Sequence, residues 1–147
     1  MIRFHQGLSE RSVYLRYFSS FSLSKRVDHK RLARICFIDY KNEMVLIAEP
    51  VGVEAAESEI IALGRMNKIP FTNEGEVAVL VSDRYQKLGV GYELLRRVVE
   101  IARDQKLTRV SAETMADNIP MQRVMKRLGF RAESSEDPNS IRAVLDL

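Results

Sequence analysis

Apolar and polar positions along this chain switch between two periods, and the switches mark its elements. Val13, Tyr14, Tyr17 and Phe18 lie along one side of a helix that Ser9 can cap, so a helix is predicted to about Phe18, ended by the serine-rich residues 19–24. Asp28 is placed to cap a second short helix, with Leu32, Ile35 and Cys36 as its expected buried stripe. Residues 44–49 and 58–66 read as two neighbouring strands joined by a connection rich in Pro, Gly and Glu. Residues 75–82 hold five consecutive apolar side chains between polar ends, the pattern of a central strand covered on both faces. Leu94, Leu95, Val98, Val99, Ile101 and Ala102 then recur at helical spacing, which predicts a long amphipathic helix over 89–105.

Residues 108–114 return as a strand. Asn118 and Pro120 open a further helix whose apolar positions Met121, Val124, Met125 and Leu128 fall at i, i+3, i+4 and i+7, and Gly129 closes it. Residues 130–133 and 140–147 complete the pattern as two strands around a polar turn. The order is ααββ, βαβα, ββ. The crossover from strand 76–82 to strand 109–114 requires parallel strands with a right-handed helix between them, so the fold class is α/β or α+β, a mixed sheet with helices on both faces.

Composition narrows this picture. At 147 residues with 46% hydrophobic and 29% charged positions, a single domain over 1–147 is expected, with a core large enough to need no staple. One cysteine cannot form an internal disulfide, and Cys36 with His5 and His29 gives no zinc-ligand spacing, so no metal is expected. Cys36 reads as a buried structural residue, and the cysteine usage suits a reducing cytoplasm. No apolar run reaches the ~20 residues of a membrane helix, so no membrane partner is expected. A net charge of +3 is too mild to argue for nucleic acid. Its distribution is uneven, because basic residues gather between Arg84 and Arg109 and again at Arg123, Lys126 and Arg127. Most of these read as solvated helix faces; a small anion would need two or three.

Chemistry concentrates between the central strand and the long helix, at Arg84-Tyr85-Gln86-Lys87-Leu88-Gly89-Val90-Gly91. Glycines let the backbone bend and approach a ligand, and the free amides of a helix start, backed by the helix dipole, suit a pyrophosphate. Arg84 and Lys87 add positive charge, and Gln86 can hydrogen-bond within the loop or to a phosphate. A Walker loop is excluded, since no Gly-Lys-Ser/Thr follows the first glycine. A dinucleotide fingerprint finds Gly89, Gly91 and a later Glu113, but Leu94 replaces its third glycine and seven residues intervene after Ser82. Two glycines that only shape a turn remain a further reading.

Gln86-x-x-Gly89-x-Gly91, after a strand and before a helix, resembles the acyl-CoA-binding motif of the GNAT superfamily of N-acetyltransferases. Asn118, Met121 and Leu128-Gly129-Phe130 are similar to a second GNAT segment. Residues 10–19 and 31–40 look like the helical region of one subfamily, the bacterial protein lysine acetyltransferases. The resemblance implies a mostly antiparallel mixed sheet, acetyl-CoA as acetyl donor and a primary amine, most simply a protein lysine, as acceptor. Within it, Glu76 matches the general base at the start of the fourth strand. A lysine ammonium with a pKa near ~10.4 must lose a proton before it can attack a thioester, which is the chemistry such a carboxylate serves.

By the same carry-over, backbone groups of Leu80 and Val81 pair with the pantetheine arm, Gln86 and the amides of Lys87, Leu88, Gly89, Val90 and Gly91 hold the pyrophosphate, and Asn118 bonds the pantetheine. Asn118 also reads naturally as a helix N-cap. Two departures stand out. Met125 occupies the position where many GNAT enzymes place an acidic tyrosine, so no side-chain acid is evident. The usual first strand is missing, which leaves strand 44–49 as an exposed edge through which self-association is expected. A small-molecule amine acceptor, or a catalytically weak acyl-CoA-binding regulatory module, are the alternatives.

Overall fold

The structure is a computed structural model and describes residues 1–52 and 58–147. Four short helices, α1 (Ile2–Gln6), α2 (Glu10–Tyr17), α3 (Leu23–Arg26) and α4 (His29–Cys36), precede strands β1 (Glu43–Ala48), β2 (Ala62–Lys68) and β3 (Glu74–Val81). There follow α5 (Val90–Asp104), β4 (Arg109–Met115), α6 (Ile119–Arg127), β5 (Arg131–Glu133) and β6 (Ser140–Asp146). The strands form one sheet in the order β1-β2-β3-β4-β6-β5. Every neighbouring pair is antiparallel except β3 and β4, the two joined by the α5 crossover. The mixed, mostly antiparallel sheet flanked by helices is the expected fold, and β1 is its outer edge.

The main core lies between the sheet and the α5/α6 layer. Met66, Val77, Leu95, Val98, Val110 and Met125 are buried together there. Gly64 makes the close approach of α5 feasible: a Cβ at this position would sit 2.9 Å from Leu94 Cγ and 3.0 Å from a Val98 methyl. On the opposite face, Phe4, Leu8, Val13 and Leu80 form a smaller core that seats α1 and α2. Helices thus cover both faces of β3, as its five-residue apolar run requires.

Local signals set most boundaries. Ser9 Oγ accepts the Ser12 amide at 3.2 Å, and Asp28 Oδ1 accepts the Arg31 amide at 3.2 Å, so both predicted caps form. Three expectations need correction. The second strand begins at Ala62 rather than at 58, because residues 58–61 run as irregular chain, tied to β1 by the Ile61 amide on Ala48 O. The connection read as rich in Pro, Gly and Glu lies partly outside the described residues. The stripe of α4 is not buried: none of its residues is, and Cys36 is exposed. An eight-residue helix at the margin of the fold has too little neighbouring surface to cover an apolar face.

The stretch before Gly7 is the helix α1, which the sequence pattern leaves unassigned. It is pinned by Arg26, whose guanidinium donates to His5 O at 2.7 Å and to Phe21 O at 3.0 Å. His5 itself is buried, with neither ring nitrogen partnered among the described residues. Burial first, then the cations of Arg26 and Arg31, lower its pKa to about 4, so it stays neutral.

Candidate active site

A split in the sheet creates the site. β3 and β4 pair only from Glu74 to Glu76 against Arg109 to Ser111, and beyond these rungs residues 77–81 of β3 and 112–115 of β4 part. Unpaired strand edges therefore face a cleft of about 760 Å³, bounded by α2, β3, the start of α5 and α6. Backbone groups in such a gap need a partner, which makes it a receptor for an extended chain that carries amides of its own.

The glycine loop closes the mouth. After a single 3-10 turn at Asp83–Tyr85, Lys87 takes a left-handed φ of 61° and Gly89 one of 85°. Gly89 then caps α5 without any side-chain bond, so the first amides of this 15-residue helix stay free for an anion. Lys87, Gly89 and Gly91 line the cleft, whereas Leu88 and Val90 line a groove between α5 and β1, and only their backbone amides can serve this mouth.

Gln86 is used differently from a phosphate donor. Its Nε2 donates to Ser12 Oγ at 2.9 Å and to Val81 O at 3.1 Å, bracing the loop against α2 and β3. Asp83 does the same work beside it, accepting from the Ser9 amide at 3.0 Å, Ser9 Oγ at 2.5 Å and Ser12 Oγ at 3.0 Å. Partial burial pushes the Asp83 carboxyl up, but these donated bonds outweigh it and hold its pKa below the usual value. Asn118 caps α6 by accepting the Met121 amide at 3.3 Å, and lines the cleft at the same time.

At the inner end of the split stands Glu76, on the last rung shared with β4, opposite Asn67 on one side and Ser111 on the other. It is exposed on the open sheet face. On that face Arg65 bonds Asn67 Oδ1 at 3.0 Å and Glu43 at 2.5 Å, forming a polar strip across β1 and β2. A smaller cavity of about 40 Å³, lined among others by Val77, Val79, Ala112, Met121 and Met125, forms the floor of the split. The structure thus brings together Glu76, residues 80–81, the glycine loop and Asn118, which are far apart in sequence.

Two groups of residues escape a reading of the sequence. Arg16 borders both the cleft and its floor, and nothing in an isolated helix marks one arginine as inward. Arg123 and Arg127, grouped by pattern with solvated helix faces, line the cleft, and Arg127 stacks over the Tyr92 ring at 4.5 Å. The signal available was the second basic cluster; its direction came from the packing of α6 beside α5.

Comparison with known proteins agrees with this geometry. The sequence model described as the Acetyltransferase (GNAT) family matches residues 12–130. A curated acetyltransferase of Pseudomonas aeruginosa is 25% identical over 138 residues, covering 94% of this chain and 73% of that protein. The crystal structure of the GNAT domain of S. lividans PAT superposes with a TM-score of 0.85 at 28% identity, covering 99% of this chain and 82% of that one. At 13% identity, a paia N-acetyltransferase from Thermoplasma acidophilum, in complex with coenzyme A, shares the fold with a TM-score of 0.70 over 99% of this chain and 94% of that one. A strand pair that splits beside a glycine loop, together with the family match over residues 12–130, leads to one conclusion: this chain belongs to the GNAT family of acetyltransferases and is an acyltransferase.

Proposed function

We propose that this enzyme transfers the acetyl group of acetyl-CoA directly to a primary amine, a lysine side chain of a protein, in the cytoplasm. The observation that carries this reading is the position of Glu76, an exposed carboxylate on the last rung before the split. There it can take a proton from an ammonium on the open face while a thioester lies in the gap behind it. The residues at hand suit coenzyme A. Free amides at residues 87–91 with Lys87 match its pyrophosphate, and the unpaired backbone groups of Val79 and Val81, which the ladder turns away from β2, match the amides of its pantetheine arm. Val81 O already accepts Gln86, and its second lone pair remains. The Nδ2 of Asn118 is left for the pantetheine, since Oδ1 serves the cap.

A macromolecular acceptor is favoured by the openness of the face around Glu76 and by the similarity of α2 and α4 to the protein lysine acetyltransferases. A thiol-release assay decides it. Acetyl-CoA should be consumed with a lysine-bearing protein such as an acyl-CoA synthetase, and mass spectrometry should locate the acetyl group on a lysine. Turnover with polyamines or aminoglycosides alone would establish the small-molecule reading instead. Acetyl-CoA binding without transfer to either class would leave a regulatory module. The free edge of β1 also supports self-association, and sedimentation as a clean monomer at high micromolar concentration would count against it.

A further inference from the structure

Arg16 stands where the two cavities meet. It lines the large cleft together with Val79, Leu80 and Asn118, and it lines the floor of the split together with Val77, Ala112 and Met125. Its guanidinium lies 5.3 Å from the centre of the Tyr17 ring, yet it makes no hydrogen bond or ion pair among the described residues. The charges around it come from each neighbouring element: Arg31 from α4, Arg65 from β2 and Glu76 from β3, with Glu113 of β4 on the wall of the same floor cavity. Burial lowers the Arg16 pKa, and the neighbouring Tyr17 and Glu76 oppose that shift while Arg65 and Arg31 add to it. A partly buried cation without a hydrogen-bonded partner is costly to keep, and an anion formed beside it recovers that cost.

We propose that Arg16 supplies the positive charge that stabilises the acyl-transfer transition state, at the thioester oxygen and at the departing sulfur. This rests on the acetyl-donor reading above and assigns the electrostatic role that Met125 leaves open. In the reaction Glu76 accepts one proton from the lysine ammonium, and the nitrogen lone pair forms the new N–C bond. The carbonyl π electrons move onto oxygen and return as the C–S bond breaks, its electron pair leaving on sulfur. The second nitrogen proton ends on that thiolate, and Glu76 releases its proton to solvent. The sum is an ammonium and a thioester giving an amide, a thiol and one proton. Two anions develop within the split, and Arg16 is the cation bordering both cavities there.

The test needs no acceptor. In a Cys36→Ser background, thiolate absorbance of bound coenzyme A is titrated with the wild-type site, Arg16→Met, Arg16→Gln and Arg16→Lys. A bound thiol that titrates below that of free coenzyme A in the same buffer, moving up by about one pH unit in Arg16→Met and less in Arg16→Lys, supports the proposal. Identical titration in the wild-type site and in the neutral variants, with coenzyme A bound to all, overturns it; Arg16→Gln decides if Arg16→Met does not fold. Absence of coenzyme A binding to the wild-type site is a different result, and sinks the donor reading together with this inference. With an active acceptor, kcat should fall about 100-fold in Arg16→Met, with the KM for acetyl-CoA within about threefold and most of kcat recovered by Arg16→Lys. An unchanged kcat, or a loss confined to KM, overturns the assignment.

Discussion

The donor side and the acceptor side of the split are built from different materials. On the donor side of the proposed reaction most of the groups offered to the ligand are backbone: the free amides at the start of α5, placed by the left-handed Lys87 and Gly89, and the unpaired edge of β3. Gln86 and Asp83 there are braces, bonding inward to Ser9, Ser12 and Val81 rather than outward. On the acceptor side the proposed working group is a side chain, Glu76 of β3, beside the polar strip that Arg65 of β2 forms with Asn67 and Glu43, and Arg16 of α2 borders the junction of the two sides. Backbone recognition tolerates changes of side chain but not of dihedral angle. Side-chain chemistry has the opposite sensitivity.

That contrast can be broken experimentally. The largest effect is expected from Glu76→Gln, which should lower kcat about 100- to 1,000-fold while acetyl-CoA affinity, measured by calorimetry, stays within about twofold. Equal activity in the variant would remove Glu76 from its role. Gly89→Val should do the reverse. A Cβ at residue 89 meets nothing within 4 Å, so the cost of the φ of 85° acts alone, about 1–2 kcal/mol, and acetyl-CoA affinity should fall about tenfold. An unchanged affinity would mean that the loop geometry is not what binds the donor.

A third measurement asks whether the acceptor face depends on the helices packed over it. His5 of α1 is held neutral, its pKa lowered from 6.5 to about 4 by burial and nearby cations. Its contribution to stability is complete above pH 6.5, declines as the pH falls through that window and is gone below about 4. The melting temperature should therefore drop by roughly a few degrees between pH 6.5 and 4, and His5→Phe should flatten that part of the profile. A profile identical in both proteins would show that His5 protonates without cost. The smallest effect belongs to Cys36. Being exposed, its thiol should react stoichiometrically with a thiol reagent in the folded protein, and Cys36→Ser should change stability by less than about 0.5 kcal/mol.

The donor side was the more legible of the two. Glycine at 89 carries its meaning in the residue type, because a left-handed backbone selects it, and the helix that follows declares itself by period. Asn118 has the residue type of both a cap and a site residue, and the cap is formed. Gln86 has the right type, but its direction depends on Ser12, 74 positions away. On the acceptor side the sequence points to Glu76 alone, and through resemblance rather than pattern. Arg16 and Arg65 lie in segments whose periodicity does not single them out, and their surroundings are set only by the fold.

By itself the sequence determined what is local and periodic: the capped helices, the apolar central strand, the α5 crossover and the glycine turn. These follow from dihedral preferences and from burial of one face, both of which operate within a few residues. Tertiary structure alone decided where β3 leaves β4, which arginine turns inward, that the first residues form a helix over Leu80, and that Cys36 lies at the surface. Each depends on contacts between segments distant in the chain, where packing and electrostatics outweigh the small preferences of any single residue.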